Sequence, residues 1–125
     1  MILIIAMRVD VLALDDVFDL GHSAVIDAFQ TANELIHLSE MSVPQFQVRI
    51  VGVRTSVRTS HGLTAPVAQI SKRVPDCVVV PAIGFKMPGP LATALARADI
   101  RDAGAALREW AHRGATMSAA CIERS

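Results

Sequence analysis

An excess of charge of either sign is absent from this 125-residue sequence. Its 12 basic side chains balance 12 acidic ones, which leaves a formal net charge of zero. A neutral domain lacks the basic surface with which proteins bind nucleic acids or anionic membranes. We therefore expect neither a nucleic-acid partner nor a membrane partner for this chain.

A long hydrophobic segment is absent as well. The apolar start, Met1 to Met7, is much shorter than the roughly 20 residues that a membrane-spanning helix requires. Arg8 and Asp10 follow closely, and the segment has neither the basic start nor the small-residue cleavage site of a signal peptide. The sequence therefore predicts a cytoplasmic protein in which this segment leads into a buried strand.

Patterns for disulfides, metals and cofactors are also absent. Cys77 and Cys121 lie far apart in different predicted elements, so we expect free thiols, with Cys77 in the core. Asp15, Asp16 and Asp19 lack the glycine-punctuated spacing of a calcium loop. No pair of histidines has zinc spacing, and no phosphate loop or dinucleotide fingerprint occurs. Neither a metal nor a cofactor is expected.

The sequence has instead an alternation of strand and helix patterns, in an Ala-, Val-, Ile- and Leu-rich chain of single-domain length. The run Cys77 to Pro81 is apolar without alternation, which is typical of a central parallel strand. Val57–Thr59 and Leu63–Ile70 flank a Ser-His-Gly turn and predict a hairpin excursion. The further predicted strands are 9–14 (starting as early as Ile2), 46–53 and 115–120. Together these elements predict an α/β fold with a doubly wound parallel sheet.

Three helices are predicted, over 23–38, over 91–96 and from Asp99 to Gly114. Ser23 is a suitable N-cap for the first, and Asp99 with Asp102 forms a capping-box-like start for the last, which Gly114 ends. Both long helices have an apolar stripe that predicts one buried face. The stripes consist of Val25, Phe29, Ala32 and Ile36 in the first helix, and of Ile100, Ala103, Leu107, Trp110 and Ala111 in the last.

Ligands of doubly wound sheets bind beyond the carboxyl ends of the strands. Three loops are therefore relevant: those after Leu14, after Pro81 and at Cys121. A cysteine at a strand-to-helix turn can be a nucleophile, because the N-terminus of the following helix lowers the thiol pKa. Only four residues follow Cys121, too few for a stable helical turn. A reactive thiol and an inert buried cysteine therefore both stay open.

Three further residues are candidates at this edge. Asp27, early in the first helix, could face the thiol as a carboxylate, or it could be an ordinary acid of the first helical turn. Gly84 could offer a backbone N–H to an oxyanion, although a turn glycine is the simpler interpretation. His22 is a candidate ligand contact. The other histidines are expected at the surface or in caps: His37, His61 and His112.

Much of the chain resembles one known family. Residues 11–35, which read VLALDDVFDLGHSAVIDAFQTANEL, resemble the opening of the ThiJ/PfpI-like domain of GlxA-type AraC-family transcriptional regulators. This domain belongs to the class I glutamine amidotransferase-like superfamily. The segments 46–67, 75–84 and 94–121 fit the same family. The resemblance implies a flavodoxin-like α/β sandwich, usually dimeric, that senses a small molecule.

The resemblance also implies roles for single residues. Cys121 falls at the nucleophile-elbow position, Asp27 at or near the acidic position that faces it, and Gly84 in the loop that supplies backbone donors. The elbow normally continues as Cys-Thr-Gly and a long helix, whereas this chain reads Cys-Ile-Glu-Arg-Ser. From this departure we expect residues 1–125 to form a C-terminally incomplete domain without a DNA-binding helix-turn-helix domain.

The sequence therefore favours a non-catalytic, small-molecule-sensing domain of an AraC-family regulator, with an unidentified effector. We expect a homodimer or other self-association, because a missing helix would leave apolar sheet surface uncovered and the monomer marginally stable. The alternative is a ThiJ/PfpI-type cysteine hydrolase or glyoxalase-like enzyme that uses Cys121. That function requires a basic partner for the thiol, and no histidine is clearly placed to provide one.

Overall fold

A computed structural model of the chain describes the backbone of residues 6–120 and the side chains of residues 6–119. The predicted extension of the first strand toward Ile2 lies outside these residues. The elements in chain order are β1 (Met7–Leu12), α1 (Asp19–Leu38), β2 (Phe46–Gly52), β3 (Ser56–Arg58), β4 (Thr64–Pro66), β5 (Ala68–Gln69), β6 (Cys77–Pro81), α2 (Pro88–Leu95), α3 (Ala98–His112) and β7 (Thr116–Ala120).

The main sheet has five parallel strands in the order β5-β2-β1-β6-β7. The central strand β1 pairs with β2 along its whole length, from Met7 opposite Phe46 to Leu12 opposite Val51. On its other side β1 pairs with β6, which in turn pairs with β7. The parallel sheet predicted from the sequence is confirmed, and its strands end at one common edge.

Helices cover both faces of this sheet. On one face, Trp110 of α3 belongs to a buried apolar cluster that includes Leu12. On the other face, Phe29 of α1 packs edge-on against Phe46 of β2, with the ring centroids 5.0 Å apart. Because successive strand residues point to opposite faces, Val11 lies on the α1 face although its neighbour Leu12 lies on the α3 face. The sheet is therefore doubly wound, as predicted.

The predicted helical stripes are confirmed with one exception. In α1 the stripe is half-buried, and in α3 Ala103 and Trp110 are buried while Ala111 is exposed. Asn33 of α1 also holds the start of β2, because its side-chain amide donates to the Phe46 carbonyl at 2.8 Å and accepts from the Phe46 N–H at 2.7 Å. Helix α1 is thus fixed to the sheet by both apolar and polar contacts.

The predicted hairpin is present, but its second arm divides. β3 and β4 pair antiparallel, from Ser56 opposite Pro66 to Arg58 opposite Thr64. Two residues after Pro66 the chain joins the main sheet as β5, parallel to β2. The hairpin therefore projects from the carboxyl edge of the sheet, beside the loop that follows β1.

The start of the first helix was predicted four residues too late. Helix α1 begins at Asp19, and Phe18, not Ser23, is its N-cap. The Phe18 N–H donates to the carbonyl of Ala82, 2.8 Å away in the loop after β6. This contact between distant segments fixes the helix start, so a local capping pattern at Ser23 could not indicate it.

The starts of the other two helices also differ from the predictions. Helix α2 begins at Pro88, three residues before the predicted start, since proline lacks the N–H that the first turn leaves unpaired. The N-cap of α3 is Arg97, and Asp99 is the second residue of the helix. Gly114 follows the end of α3 with a φ of 98°, as expected of a glycine that terminates a helix. Within residues 6–120, no helix is long and apolar enough to cross a membrane.

Candidate functional site at the carboxyl edge of the sheet

Three loops meet at the carboxyl edge of the sheet and are joined by backbone hydrogen bonds. The loop after β1 contacts the hairpin, because the Asp16 N–H donates to Arg58 O at 2.7 Å and the Ser60 N–H to Val17 O at 2.9 Å. The loop after β6 joins them, because the Gly84 N–H donates to Asp16 O at 2.7 Å. The edge is therefore one connected surface built from segments far apart in sequence.

Asp19, at the first position of α1, connects the helix to the tip of the hairpin. Its carboxylate accepts hydrogen bonds from the Ser60 hydroxyl at 2.9 Å and from the His61 N–H at 3.1 Å. The polar side chains of Thr59 and Ser60 beside the carboxylate lower the pKa of Asp19, against the opposing effect of burial. The carboxylate is thus ionised at neutral pH and gives the edge a fixed negative charge.

His22 lies one turn further along α1 and is 7% exposed. Its Nδ1 atom is buried and makes no hydrogen bond to any described residue. Burial lowers the pKa of His22, against the opposing effect of the Asp19 carboxylate. A neutral imidazole with an unused ring nitrogen can accept or donate one hydrogen bond. The structure therefore places the predicted ligand contact beside Asp19, at the start of the helix.

Gly84 is placed at this edge as expected, but its N–H is engaged. The bond to Asp16 O uses the donor that the sequence interpretation left available for an oxyanion. A Cβ atom at Gly84 would lie 2.6 Å from the Cβ of Ser60, closer than real Cβ contacts. Glycine is thus needed here for a close approach of two loops, and a ligand contact at Gly84 stays a prediction.

Asp27 does not lie in the first turn of the helix. Because α1 begins at Asp19, Asp27 belongs to the third turn, and its side chain is exposed. The acid of the first turn is Asp19. Cys121, which Asp27 was expected to face, lies outside the described residues, so the pairing of these two side chains stays a prediction. Ala120, the last described residue, is in register with Pro81 of β6.

The other candidates have structural roles. Asp15 accepts the Arg58 N–H at 2.9 Å, and Asp16 forms an ion pair with Arg97 at 2.6 Å. Burial raises the pKa of the Cys77 thiol, and its side chain is only partly buried at the start of β6. Between residues 6 and 120, no group of three or more His, Cys, Asp or Glu side chains could hold a metal ion.

Sequence reasoning did not identify Arg97 or the charged side chains inside β1. Arg97 donates to Asp16 and to the Asp15 carbonyl, residues more than 80 positions away in the chain. Arg8 and Asp10 are buried on the α3 face of β1. Two charged residues within an otherwise apolar strand could have indicated that Arg8 and Asp10 are unusual. Nothing near Arg97 in the sequence indicates its distant partners.

Comparison with known proteins shows similarity at the level of the fold. No protein-family model matches the chain, and no curated protein matches it by sequence. An AraC family transcriptional regulator from Pseudomonas putida superposes with a TM-score of 0.67 and 20% identity, covering 90% of this chain and 55% of that one. Oxidized DJ-1 from Toxoplasma gondii superposes with a TM-score of 0.59 and 21% identity, covering 91% of this chain and 55% of that one.

The chain thus spans just over half the length of each of these two proteins. The similarity covers about nine-tenths of this chain, whose described residues include the five-stranded parallel sheet and helices on both of its faces. The chain therefore has the flavodoxin-like α/β fold of the AraC-family regulator and DJ-1 structures, as its resemblance to ThiJ/PfpI-like domains predicted.

Proposed function

We propose that this chain is a small-molecule-sensing domain of an AraC-type transcriptional regulator, and that it binds its effector without transforming it chemically. The observation that carries the proposal is the superposition of 90% of the chain on an AraC-family regulator. Since a fold alone does not specify a function, the proposal also depends on the binding groups at the carboxyl edge of the sheet.

The carboxyl edge of the sheet supplies suitable binding groups. His22 offers an unused, buried ring nitrogen, and the Asp19 carboxylate lies nearby at the start of α1. Small-molecule sites typically combine apolar walls with a few convergent polar groups, and ligands of parallel sheets bind at this edge. A small polar molecule that hydrogen-bonds to the imidazole fits this arrangement.

A ligand screen with matched histidine variants tests this proposal. We expect at least one member of a panel of free amino acids, amines and small carboxylates to raise the melting temperature, because binding to the native state stabilises it. The variant His22→Gln should lose that shift while it keeps the native circular dichroism spectrum. His112→Gln is the control, since His112 is exposed at the end of α3. An undiminished shift in His22→Gln, or no shift from any compound, would contradict the proposal.

DNA binding by the 125-residue chain is not expected under this proposal. The formal net charge of zero provides no excess of cations to neutralise phosphates. A gel shift with duplex DNA should therefore show no complex at moderate salt. Salt-sensitive binding would argue against a sensing domain and for direct DNA recognition.

A cysteine-dependent hydrolase or glyoxalase-like enzyme is the second candidate. It is favoured by the position of Cys121 in the sequence, directly after β7, whose last residue Ala120 is in register with Pro81. Such a position is typical of a nucleophile elbow. The two functions differ in what they require of the thiol, because only an enzyme needs an activated thiolate at neutral pH.

Alkylation by iodoacetamide distinguishes the two functions. The Cys77→Ser variant reports on Cys121 alone, and the Cys121→Ser variant reports on Cys77 alone. Burial raises the pKa of the Cys77 thiol, so less thiolate is present at neutral pH and the Cys121→Ser variant serves as a slowly alkylated reference. Rapid alkylation of Cys121 at neutral pH would favour the enzyme, and alkylation as slow as that of Cys77 would favour the sensing domain.

A further inference from the structure

We propose that Arg97 is a positioning residue, which holds the Asp15–Asp16 turn of the candidate site and couples that turn to the start of α3. The inference rests on the proposed function only in taking this edge as the effector site. Through this coupling, an effector that displaces the turn also perturbs α3, and a change at α3 alters the turn.

The guanidinium of Arg97 uses all three of its nitrogens. Nη1 donates to Asp16 Oδ2 at 2.6 Å, and Nη2 donates to the Asp15 carbonyl at 3.0 Å. Nε and Nη2 donate to the two carboxylate oxygens of Asp99, at 3.0 and 3.2 Å. The planar fork of arginine suits such multiple contacts, which a lysine ammonium cannot reproduce. Arg97 therefore bridges the loop after β1 and the first turn of α3.

The turn that Arg97 holds has an unfavourable backbone conformation. Asp16 has a φ of 66°, in the left-handed region that residues other than glycine rarely adopt. Its N–H donates to Arg58 O and its carbonyl accepts from the Gly84 N–H, both at 2.7 Å. Asp16, with its neighbours Val17 and Phe18, is thus a point where the hairpin and the loop after β6 both attach, so its conformation contributes to the geometry of the edge.

A second arginine near Asp16 cannot replace Arg97. Arg58 lies 3.9 Å from the Asp16 carboxylate, and its side chain is 69% exposed. Exposed ion pairs of this kind contribute little, because water and salt screen them. The contact between Arg97 and Asp16 is shorter, at 2.6 Å. It is also less screened by solvent, because the two side chains are only 29% and 18% exposed. The structure therefore assigns the restraint on this turn to Arg97.

Helix α3 holds Arg97 in place from the other side. Arg97 is the N-cap of α3, its N–H donates to Ala94 O at 3.0 Å, and Asp99 of the first turn is buried beside it. The carboxylates of Asp16 and Asp99 outweigh the opposing effect of burial and raise the pKa of Arg97. The side chain is thus pre-organised by α3, so a movement of the turn acts directly on the start of the helix.

Hydrogen exchange of the full chain, without any ligand, tests the positioning role. In Arg97→Met we expect the amides of Asp16 and Gly84 to exchange about tenfold faster, since a local opening no longer has to break the Arg97 contacts. The amides of Val11 and Val78 at the centre of the sheet should be unchanged. Arg101→Met is the matched control, because Arg101 is exposed one turn further along α3.

Faster exchange of all these amides in parallel would indicate global destabilisation and would overturn the proposal. Unchanged exchange at Asp16 and Gly84 would overturn it as well. If Arg97→Met does not fold, Asp16→Asn removes the same ion pair from the other partner. It should accelerate the Gly84 amide and also the Arg101 amide, which donates to Arg97 O at the start of α3. An effect confined to the turn would disprove the coupling.

A double-mutant cycle tests whether Arg97 acts on the turn through Asp16. Asp16→Gly removes the carboxylate that Arg97 binds and also the steric cost that aspartate incurs in the left-handed conformation, so it should make the turn less dependent on Arg97. Arg97→Met should then lower the midpoint of urea unfolding less in the Asp16→Gly background than in the wild type. Equal losses in both backgrounds would overturn the proposal. A failed ligand screen would leave these ligand-free results unaffected, so the two proposals fail independently.

Discussion

At the scale of single residues, Gly84 and Asp10 both lie in tightly packed surroundings that restrict which side chain the position tolerates. The absence of a side chain at Gly84 allows the loop after β6 to approach Ser60. The carboxylate of Asp10 is 1% exposed, and neither of its oxygens has a hydrogen-bond partner among the described residues. Each position therefore makes a prediction about stability.

Replacing Gly84 by alanine should destabilise the protein. The added Cβ would lie 2.6 Å from Ser60 Cβ and 2.8 Å from Ser60 Oγ, so one of the two loops must shift. We expect a loss of about 1–3 kcal/mol in the free energy of unfolding, the usual cost of overpacking. Urea titration measures this loss.

Two further variants control that experiment. Gly89→Ala should be tolerated, because no atom lies within 4 Å of its added Cβ. Gly84→Ala should cost less stability in a Ser60→Gly background than in the wild type, since the atoms that the new methyl group meets are then absent. Comparing each protein with its own background cancels the loss of the hydrogen bond from Ser60 to Asp19, and equal costs in both backgrounds would mean that the close approach to Ser60 is not the cause.

Replacing Asp10 by asparagine should stabilise the protein near neutral pH. Burial raises the pKa of Asp10, and the nearby cations Arg49 and Arg8 only partly oppose this. A folded-state pKa above the unfolded value means that ionised Asp10 costs stability at neutral pH, and that this cost declines as the pH falls from the folded-state pKa to the unfolded one. We expect a gain in the free energy of unfolding at neutral pH, because asparagine has nearly the same shape as aspartate but lacks the charge that burial disfavours.

Urea unfolding of both proteins from about pH 7 down to about pH 4, close to the ordinary pKa of an aspartate, tests the sign of this effect. The stability difference between Asp10→Asn and the wild type should shrink as the pH falls. Asp102→Asn, on the exposed surface of α3, controls for a general change of net charge. An Asp10→Asn variant that is less stable than the wild type at neutral pH would show that the carboxylate of Asp10 is paired and stabilising.

At the scale of elements, helix α3 ends where the sequence predicted, because its stop signal is local. Gly114 follows the C-cap residue Arg113 and has a φ of 98°. The helix starts were harder to predict, because tertiary contacts fix them. The N–H of Phe18 bonds to Ala82, and Arg97 is held by Asp16 and Asp99.

Two glycines of the same region give opposite predictions. Gly114→Ala should cost about 1 kcal/mol, because alanine is strained in the left-handed conformation that ends the helix. Gly104→Ala, in the middle of α3, should stabilise the protein by about 0.5–1 kcal/mol, because alanine loses less chain entropy in a helix. The new methyl group at Gly104 would meet only the flexible end of Arg108, at 3.4 Å. Thermal unfolding distinguishes the two, and equal effects would show that the backbone at Gly114 is unstrained.

At the scale of the whole molecule, β7 is the outermost described strand beyond β6. Thr116, Met117, Ser118 and Ala119 are all exposed, and none of them is charged. An outer strand without charges, proline or a bulge is a site where another strand can pair. A groove between β7 and α3, lined by Val80, Leu107 and Met117, adds apolar surface on the same side.

We therefore expect the chain to self-associate through the β7 side in a concentration-dependent way. Met117→Lys should reduce the associated fraction severalfold, because a charge on an edge strand disfavours strand pairing. Light scattering coupled to size-exclusion chromatography measures the mass at several concentrations. Leu35→Lys is the control, since Leu35 is an exposed apolar residue of α1 away from β7. A wild-type monomer at every concentration would contradict this expectation.

The candidate site was predicted only in part. The strand and helix patterns alone determine which loops follow the strands, so the sequence indicated the edge where the loops after β1 and β6 meet, and the role of His22 there stays a prediction. The sequence placed Asp27 early in the first helix, either facing Cys121 or as an ordinary acid of the first turn, whereas the acid of the first turn is Asp19, since the helix begins four residues earlier than predicted. The contacts of Arg97 and the engaged N–H of Gly84 depend on segments that meet only in the folded chain.

The sequence by itself determined the α/β class, the parallel order of strands and helices, the hairpin and the buried stripes of α1 and α3. These features follow from the spacing of apolar residues and from turn residues, which act over a few positions. Only the tertiary structure decided where the helices begin, how the three loops join, and which charged side chains are buried. Those outcomes depend on contacts across 60 to 80 residues, such as Phe18 with Ala82 and Asp16 with Arg97, and no local pattern encodes such partners.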